Sequence, residues 1–179
     1  WREFWSMRFD LSSATFDPRP DSETVIAAAT KWARVHRPAA RILDLGTGTG
    51  CLLMACLSEL PQTTGIGIDI SAEAVLVATA NAERHGLGDR GRFCQTDFAA
   101  DLRGYGLFDL ILSNPPYIPS GDVGALDKDV RHFDPLAALD GGLDGLDCWR
   151  ILCPQIKTLL ADEGMAFVEI GAGQGTAVG

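Results

Sequence analysis

The run Phe108-Asp-Leu-Ile-Leu-Ser113 stops at Asn114-Pro115-Pro116-Tyr117, with Ile118 and a third proline beyond. Prolines fix φ and carry no backbone N–H, so the segment is stiff and extended. The Asn114 side-chain oxygen and the Pro115 carbonyl offer two fixed acceptors, and Tyr117 offers a flat face. A strand that exits into such a corner is furnished to hold a polar, planar group. Taken alone, the corner is also consistent with a proline-rich turn closing a strand.

A second group lies upstream. Asp44-Leu-Gly46-Thr47-Gly48-Thr-Gly50 follows an apolar run and precedes a helical pattern. Its glycines permit a tight turn and close approach of a ligand, and N–H groups at the helix start face that ligand. The spacing is Gly-x-Gly-x-Gly. A dinucleotide fingerprint needs Gly at position 51, where Cys51 stands, and a Walker loop needs a Gly-Lys-Ser/Thr that is absent. An acid just before the loop, Asp44, disfavours a pyrophosphate and suits a cationic amine or sulfonium. Asp69, with Ile70 after it, ends the next apolar run, where a carboxylate accepts ribose hydroxyls. Asp97 ends a third, with Phe98 beside it for an adenine face. A ligand with a cationic amino acid part, a ribose and an adenine is S-adenosylmethionine, giving S-adenosylhomocysteine as product. For each acid the bland reading is a helix cap or a solvated loop charge.

The elements that must position these residues alternate. Strand-like runs at 41–46, 64–70, 91–97, 108–114 and 164–171 are separated by helical patterns. Leu52, Ala55, Cys56 and Leu60 fall at helical spacing. Ser71 caps a helix whose face carries Ala72, Val75, Leu76 and Thr79. Trp149, Leu152, Cys153, Ile156 and Leu160 mark another, with Pro154 inside it. Before the first strand, Asp21-Ser-Glu-Thr opens a helix with an apolar stripe of Val25, Ala28, Ala29 and Trp32. This rhythm predicts an α/β fold: a mostly parallel, Rossmann-like sheet with helices on both faces. Ligands of such sheets sit at the carboxyl ends of the strands. Gly46, Asp69, Asp97, Asn114 and Glu169 should therefore ring one edge.

The 179 residues suit one domain, and 46% hydrophobic with 22% charged residues are the proportions of a globular protein. Neither a membrane-spanning run nor a secretion signal is visible. Five cysteines without a Cys-x-x-Cys pair speak against a disulfide framework or zinc ribbon, and no metal is expected. A net charge of -9 makes nucleic acid an unfavoured partner. The loose basic cluster of Lys31, Arg34, His36, Arg37 and Arg41 reads as a solvated helix end.

With GTGTG, a strand-end Asp and NPPY, the chain resembles class I methyltransferases that modify a planar nitrogen. NPPY is shared by N6-adenine nucleic acid methyltransferases and protein glutamine methyltransferases. Phe16-Asp-Pro-Arg19-Pro-Asp-Ser-Glu23 resembles the Phe-x-Pro-Arg-Pro-acid-Ser/Thr-Glu segment of the HemK/PrmC family, which methylates the glutamine of the Gly-Gly-Gln motif in peptide chain release factors. The stretch from Asp134 to Leu146 and EIGAGQG (169–175) match further segments of that family, from about Trp1 to the end. Asp17 departs from the aliphatic residue common there.

This resemblance implies a cytoplasmic enzyme transferring methyl from S-adenosylmethionine to the side-chain nitrogen (N5) of that glutamine. Asn114, Pro115 and Tyr117 would be catalytic, the first two accepting the two amide N–H groups and the tyrosine covering the amide face. Asp44, Gly46, Thr47, Gly48, Gly50, Asp69, Ile70, Asp97, Phe98 and Asn114 would bind cofactor. Pro116, Arg19 and Glu23 would join the catalytic trio on the substrate side, although Arg19 and Glu23 read equally as an ion pair or a helix-end charge. Gly141-Gly142 reads as a turn. A ribosomal-protein glutamine and an adenine base remain alternative substrates. Residues 1–37 are expected to lead into a methyltransferase domain over 38–179, without the family's helical N-terminal domain and its final strands.

Overall fold

A two-stranded antiparallel hairpin, β1 (Arg2–Phe4) and β2 (Met7–Phe9), opens the chain. It is absent from the expectations because its turn carries no glycine or asparagine. Trp5 and Ser6 instead take left-handed φ values of 53° and 57°. The computed structural model describes residues 1–128, 130 and 134–178. After the hairpin come α1 (Glu23–His36), β3 (Arg41–Leu45), α2 (Cys51–Glu59), β4 (Thr64–Asp69), α3 (Ala72–Arg84), β5 (Gly91–Gln95) and β6 (Phe108–Ser113). Next follow α4 (Asp147–Leu159), β7 (Leu160–Val168) and a short α5 (Gly175–Val178).

The expected strands form one parallel sheet in the order β5-β4-β3-β6-β7. One face packs Ile42, Leu110 and Leu112 against Phe4, Phe9, α1, α2 and Ala82 of α3. The other packs Leu43, Leu45, Ile68 and Ile111 against Leu102 and the α4 residues Leu152 and Leu159. Strand β4 is glycine-rich on the α2 side. A Cβ on Gly65 would lie 2.3 Å from Leu53 Cδ1, so its absence lets the helix come close.

Two helix faces differ from expectation. In α1 the buried stripe is Ile26, Ala29, Thr30 and Ala33, with the Thr30 hydroxyl donating to the Ile26 carbonyl at 2.8 Å. In α3 it is Ala74, Ala78, Asn81 and Ala82, while Leu76 is 70% exposed. The expected Val25 and Trp32 of α1 still pack partly buried against the core beside Ile26, whereas α3 approaches it through small side chains. Ser71 caps α3 as expected, accepting from the Ala74 N–H at 3.2 Å.

Strand order reverses between β3 and β6, so the crevice at their carboxyl ends is the switch point where such sheets bind ligands. Register pairs Leu45 with Ser113, and the Ser113 hydroxyl donates to the Leu45 carbonyl at 2.7 Å. Gly46 and Asn114 are the next residues on their strands.

The fully buried Asn81 joins the N-terminal segment to this edge. Its Oδ1 accepts the Asp10 N–H at 2.9 Å, and its Nδ2 donates to the Asp10 and Thr49 carbonyls, each at 3.1 Å. Asn81→Leu keeps the volume but strands those backbone groups. Unfolding free energy should fall by about 2 kcal/mol or more in urea denaturation. An unchanged midpoint would show that the bridge does not hold the segment.

Candidate active site

The loop after β3 is tied to the end of the neighbouring strand β4. The Gly46 and Thr47 N–H groups both donate to the Ile68 carbonyl at 2.9 Å. Gly46, Gly48 and Gly50 have φ of 72°, 54° and 81°, which only glycine adopts freely. A Cβ on Gly48 would meet nothing within 4 Å, so the loop is open above that residue. A Cβ on Gly46 would reach only Phe98, at 4.0 Å, which places this ring beside the loop.

Asp44, the acid expected to suit a cationic ligand, stands just before this loop. Its side chain lies beneath the loop, with no exposed surface. Oδ2 accepts from the Thr47 hydroxyl at 2.6 Å, and among the described residues Oδ1 has no hydrogen-bond partner. Burial pushes its carboxyl up to about 7, against the pull of the Thr47 hydroxyl and with a smaller push from Asp69. Any action on a ligand above the loop is through its charge and through Thr47.

Asp69 stands at the end of β4 with both oxygens turned to backbone donors. Oδ2 accepts from Gly48 N–H and Oδ1 from Ser71 N–H, each at 2.9 Å. Each oxygen retains a lone pair for a further donor. The neighbouring Ile70 is 64% exposed, an unusual place for an isoleucine without an apolar partner. Asp97 is exposed, and its Oδ1 closes a turn by accepting from Ala99 N–H at 2.8 Å. Gln155 of α4 braces that turn by donating to the Phe98 and Ala100 carbonyls at 2.9 and 2.6 Å.

Across the crevice, the Asn114 Nδ2 donates to Ser22 Oγ at 3.1 Å. Ser22 donates to Glu169 Oε2 at 2.5 Å, and the Tyr117 hydroxyl donates to Glu169 Oε1 at 3.2 Å. Burial, and then the Glu169 charge, push the Tyr117 phenol up to about 12, so it stays a donor. Among the described residues, neither Asn114 Oδ1 nor the Pro115 carbonyl accepts a hydrogen bond. Ser22 was read in the sequence only as part of a helix start. Its one signal was its place in the segment resembling the Pro-Arg-Pro motif.

The backbone of the Asn-Pro-Pro-Tyr corner is clamped from below. Gln174 donates to the Tyr117 carbonyl at 2.9 Å and the Gly145 carbonyl at 3.2 Å. Gly141 N–H donates to the Ile118 carbonyl at 2.8 Å. A Cβ on Gly141 would sit 2.9 Å from both Pro116 O and Tyr117 Cα, so the expected turn is also a close backbone contact.

Arg19 and Glu23, expected on the substrate side, are committed within the chain. Arg19 donates to the buried Asp134 at 2.6 Å and stacks over Phe16. Asp17 pairs with Arg2, and its N–H donates to Asp134 Oδ1 at 3.0 Å. Glu23 Oε1 accepts from Trp5 N–H at 2.8 Å in the hairpin turn.

A family model described as a methyltransferase domain matches residues 36–169. A release factor glutamine methyltransferase of Rhodospirillum rubrum is 51% identical over 173 residues, 97% of this chain and 52% of that protein. One from Bradyrhizobium diazoefficiens is 47% identical over 175 residues, 97% of this chain and 58% of that protein. The chain thus spans little more than half the length of these curated relatives. They bear out the resemblance drawn from residues 16–23, the Asn-Pro-Pro-Tyr corner and 169–175. A ribosomal protein L11 methylase of Lactobacillus delbrueckii subsp. bulgaricus has the same fold, with a TM-score of 0.63 over 89% of this chain and 66% of that one at 20% identity.

The buried acid gives a pH signature. Its folded pKa, about 7, lies above the ordinary 3.8, so the unfolded chain ionises first as pH rises. Stability should fall across that window by an amount on the order of 4 kcal/mol and then level off. Asp44→Asn should lack this slope in denaturation series from about pH 4 to pH 8. Parallel curves for the two proteins would contradict the assignment. Gly141→Ala should displace the Pro116–Tyr117 backbone and destabilise the fold by about 1–3 kcal/mol, read as a lower Tm. An unshifted Tm would mean that the corner yields freely.

Proposed function

The chain belongs to the methyltransferase-domain family, and we propose that it forms the catalytic part of a cytoplasmic enzyme that methylates the N5 nitrogen of the Gly-Gly-Gln glutamine in peptide chain release factors. The observation that carries this reading is the register of β3 on β6. It sets an open glycine loop beside an amide corner whose Asn114 Oδ1 and Pro115 carbonyl are both unengaged.

S-adenosylmethionine fits the loop side. Gly46, Thr47, Gly48 and Gly50 would shape its bed, the Asp69 carboxylate would accept the ribose hydroxyls, and Ile70 and Phe98 would flank the adenine, with Asp97 at its rim. Asp44 would act from beneath the loop through the Thr47 hydroxyl that it holds and, once ionised, through its charge. Asn114 closes the bed on the β6 side. When bound, this cofactor supplies a methyl group on a sulfonium and leaves as a neutral thioether.

The corner fits the acceptor side. A glutamine amide nitrogen is a weak nucleophile because its lone pair is delocalised. Asn114 Oδ1 and the Pro115 carbonyl would each accept one N–H. Two acceptors favour a more pyramidal nitrogen and steady its growing positive charge. Pro116 and Tyr117 would cover the flat face of the amide. Arg19 and Glu23 serve the site by holding the 16–23 strap against it.

An adenine base in nucleic acid is the weaker reading, since the basic cluster is largely spent internally. Arg34 pairs with Glu59, Arg37 with Asp109, and Arg41 donates to the Tyr105 and Leu107 carbonyls. The intact protein should be given methyl-labelled S-adenosylmethionine with a release factor, ribosomes and DNA in separate reactions. Label on the Gly-Gly-Gln glutamine is expected. Label only on a ribosomal protein or on DNA would replace the proposed substrate. Asn114→Ala should lose about a hundredfold in kcat while still binding cofactor by calorimetry. Wild-type turnover in that variant would remove the amide-holding role.

A further inference from the structure

We infer that Ser22 and Glu169 are positioning residues that fix which end of the Asn114 amide faces the acceptor. The inference rests on the function proposed above for its consequence, but not for its geometry. A carboxylate only accepts hydrogen bonds, and a serine hydroxyl has one hydrogen to give. The 2.5 Å contact from Ser22 to Glu169 Oε2 uses that hydrogen. Ser22 can then only accept from the Asn114 group at 3.1 Å, so that group is the Nδ2 donor. Oδ1 is thereby assigned to the opposite end, where the acceptor N–H would lie. The two ends of an amide are nearly identical in shape, so packing alone does not choose between them. With the amide reversed, Oδ1 would face a hydroxyl oxygen with no hydrogen left, and two N–H groups would oppose each other at the acceptor.

Three further observations support a dedicated relay. Ser22 sits at the N-cap of α1, where a hydroxyl ordinarily accepts a helix N–H, yet its side chain makes no cap bond. It is only 2% exposed, so water does not compete for its hydrogen. The second Glu169 oxygen is taken by the Tyr117 hydroxyl, which leaves the carboxylate donors on both sides. The relay joins the strap before α1, the residue after β6 and the residue after β7. None of these is near the others in sequence.

The test uses the intact protein and the variants Ser22→Ala, Ser22→Thr and Glu169→Gln. Ser22→Ala should lower kcat about tenfold to a hundredfold with the KM for S-adenosylmethionine unchanged. Ser22→Thr, which keeps the hydroxyl, should restore most of the rate. Glu169→Gln replaces one acceptor oxygen with a donor and should lose a similar factor, which covers the case that Ser22→Ala folds poorly. In the Asn114→Ala background, Ser22→Ala should cost little more, because both act through one amide. Full activity of Ser22→Ala, or an equal loss with and without Asn114, would overturn the relay. NMR of the Asn114 side-chain NH₂ gives a readout independent of transfer. Its two protons should be well dispersed and slow to exchange in the wild type, and lose both features in Ser22→Ala. Absence of methyl transfer by the wild type would defeat the proposed function and leave this NMR result to decide the relay. An NH₂ signal unmoved by Ser22→Ala would defeat the relay alone.

Discussion

The parallel pairing of β3 with β6 is the constraint on which the rest of the site depends. A shift of one residue would turn every side chain of β6 to the opposite face. Leu110 and Leu112 pack with Ile42 on the α1–α2 side, and Ile111 packs with Leu43 and Leu45 on the α4 side. Apolar burial on both faces therefore fixes the register. The Ser113 hydroxyl on the Leu45 carbonyl ties the two strand ends together at the level where both chains leave the sheet. The glycine loop and the Asn-Pro-Pro-Tyr corner then begin side by side.

Around that junction the chain uses backbone contacts more than surface charge. Gln174 holds the Tyr117 carbonyl through its side chain, while Gly141 and Gly145 lie against the backbone of residues 116–117, contacts that no rotamer change can relax. The Arg19–Asp134 pair differs from the many exposed pairs because the Asp134 side chain is only 2% exposed and also takes the Asp17 N–H. Removing Arg19 would leave a buried carboxylate short of a partner, a loss far larger than that of an exposed pair such as Arg103–Asp101.

The strands, the glycine loop and the amide corner were legible because each has a local cause: apolar runs, positive φ, proline. Long-range geometry was not. The hairpin at residues 2–9 hides behind Trp5 and Ser6, which carry no turn signal. The helix α3 presents alanines inward, so hydrophobicity pointed to Leu76 in place of Ala78, while in α1 the stripe is centred on Ile26 with Val25 at its margin. Asp44 was legible as an acid before a glycine loop, but its burial depends on which way β3 faces. Ser22 gave almost no signal, because its partners lie 92 and 147 residues away. Arg19 and Glu23 were legible as significant, while their partners Asp134 and Trp5 emerge only from the fold.

Under the proposed function, the same hydrogen bonds bear on how a proton would leave the acceptor nitrogen. A general base needs a free lone pair aimed at the departing proton and a pKa suited to receive it. Glu169 is tied to the corner residues, with its oxygens turned to the Ser22 and Tyr117 hydroxyls from which they accept. Tyr117 is held protonated, with its phenol pushed up to about 12. Asp44 lies beneath the loop without exposed surface, and Asp69 is turned to the Gly48 and Ser71 N–H groups. On that reading, what would face the acceptor is a pair of neutral oxygens, Asn114 Oδ1 and the Pro115 carbonyl. Neutral oxygens orient an N–H and stabilise a cationic nitrogen without removing its proton. The cationic N-methylated amide formed by transfer is strongly acidic, so it would lose its proton to water once the new bond has formed. The geometry therefore favours positioning and charge stabilisation over proton abstraction as the source of rate.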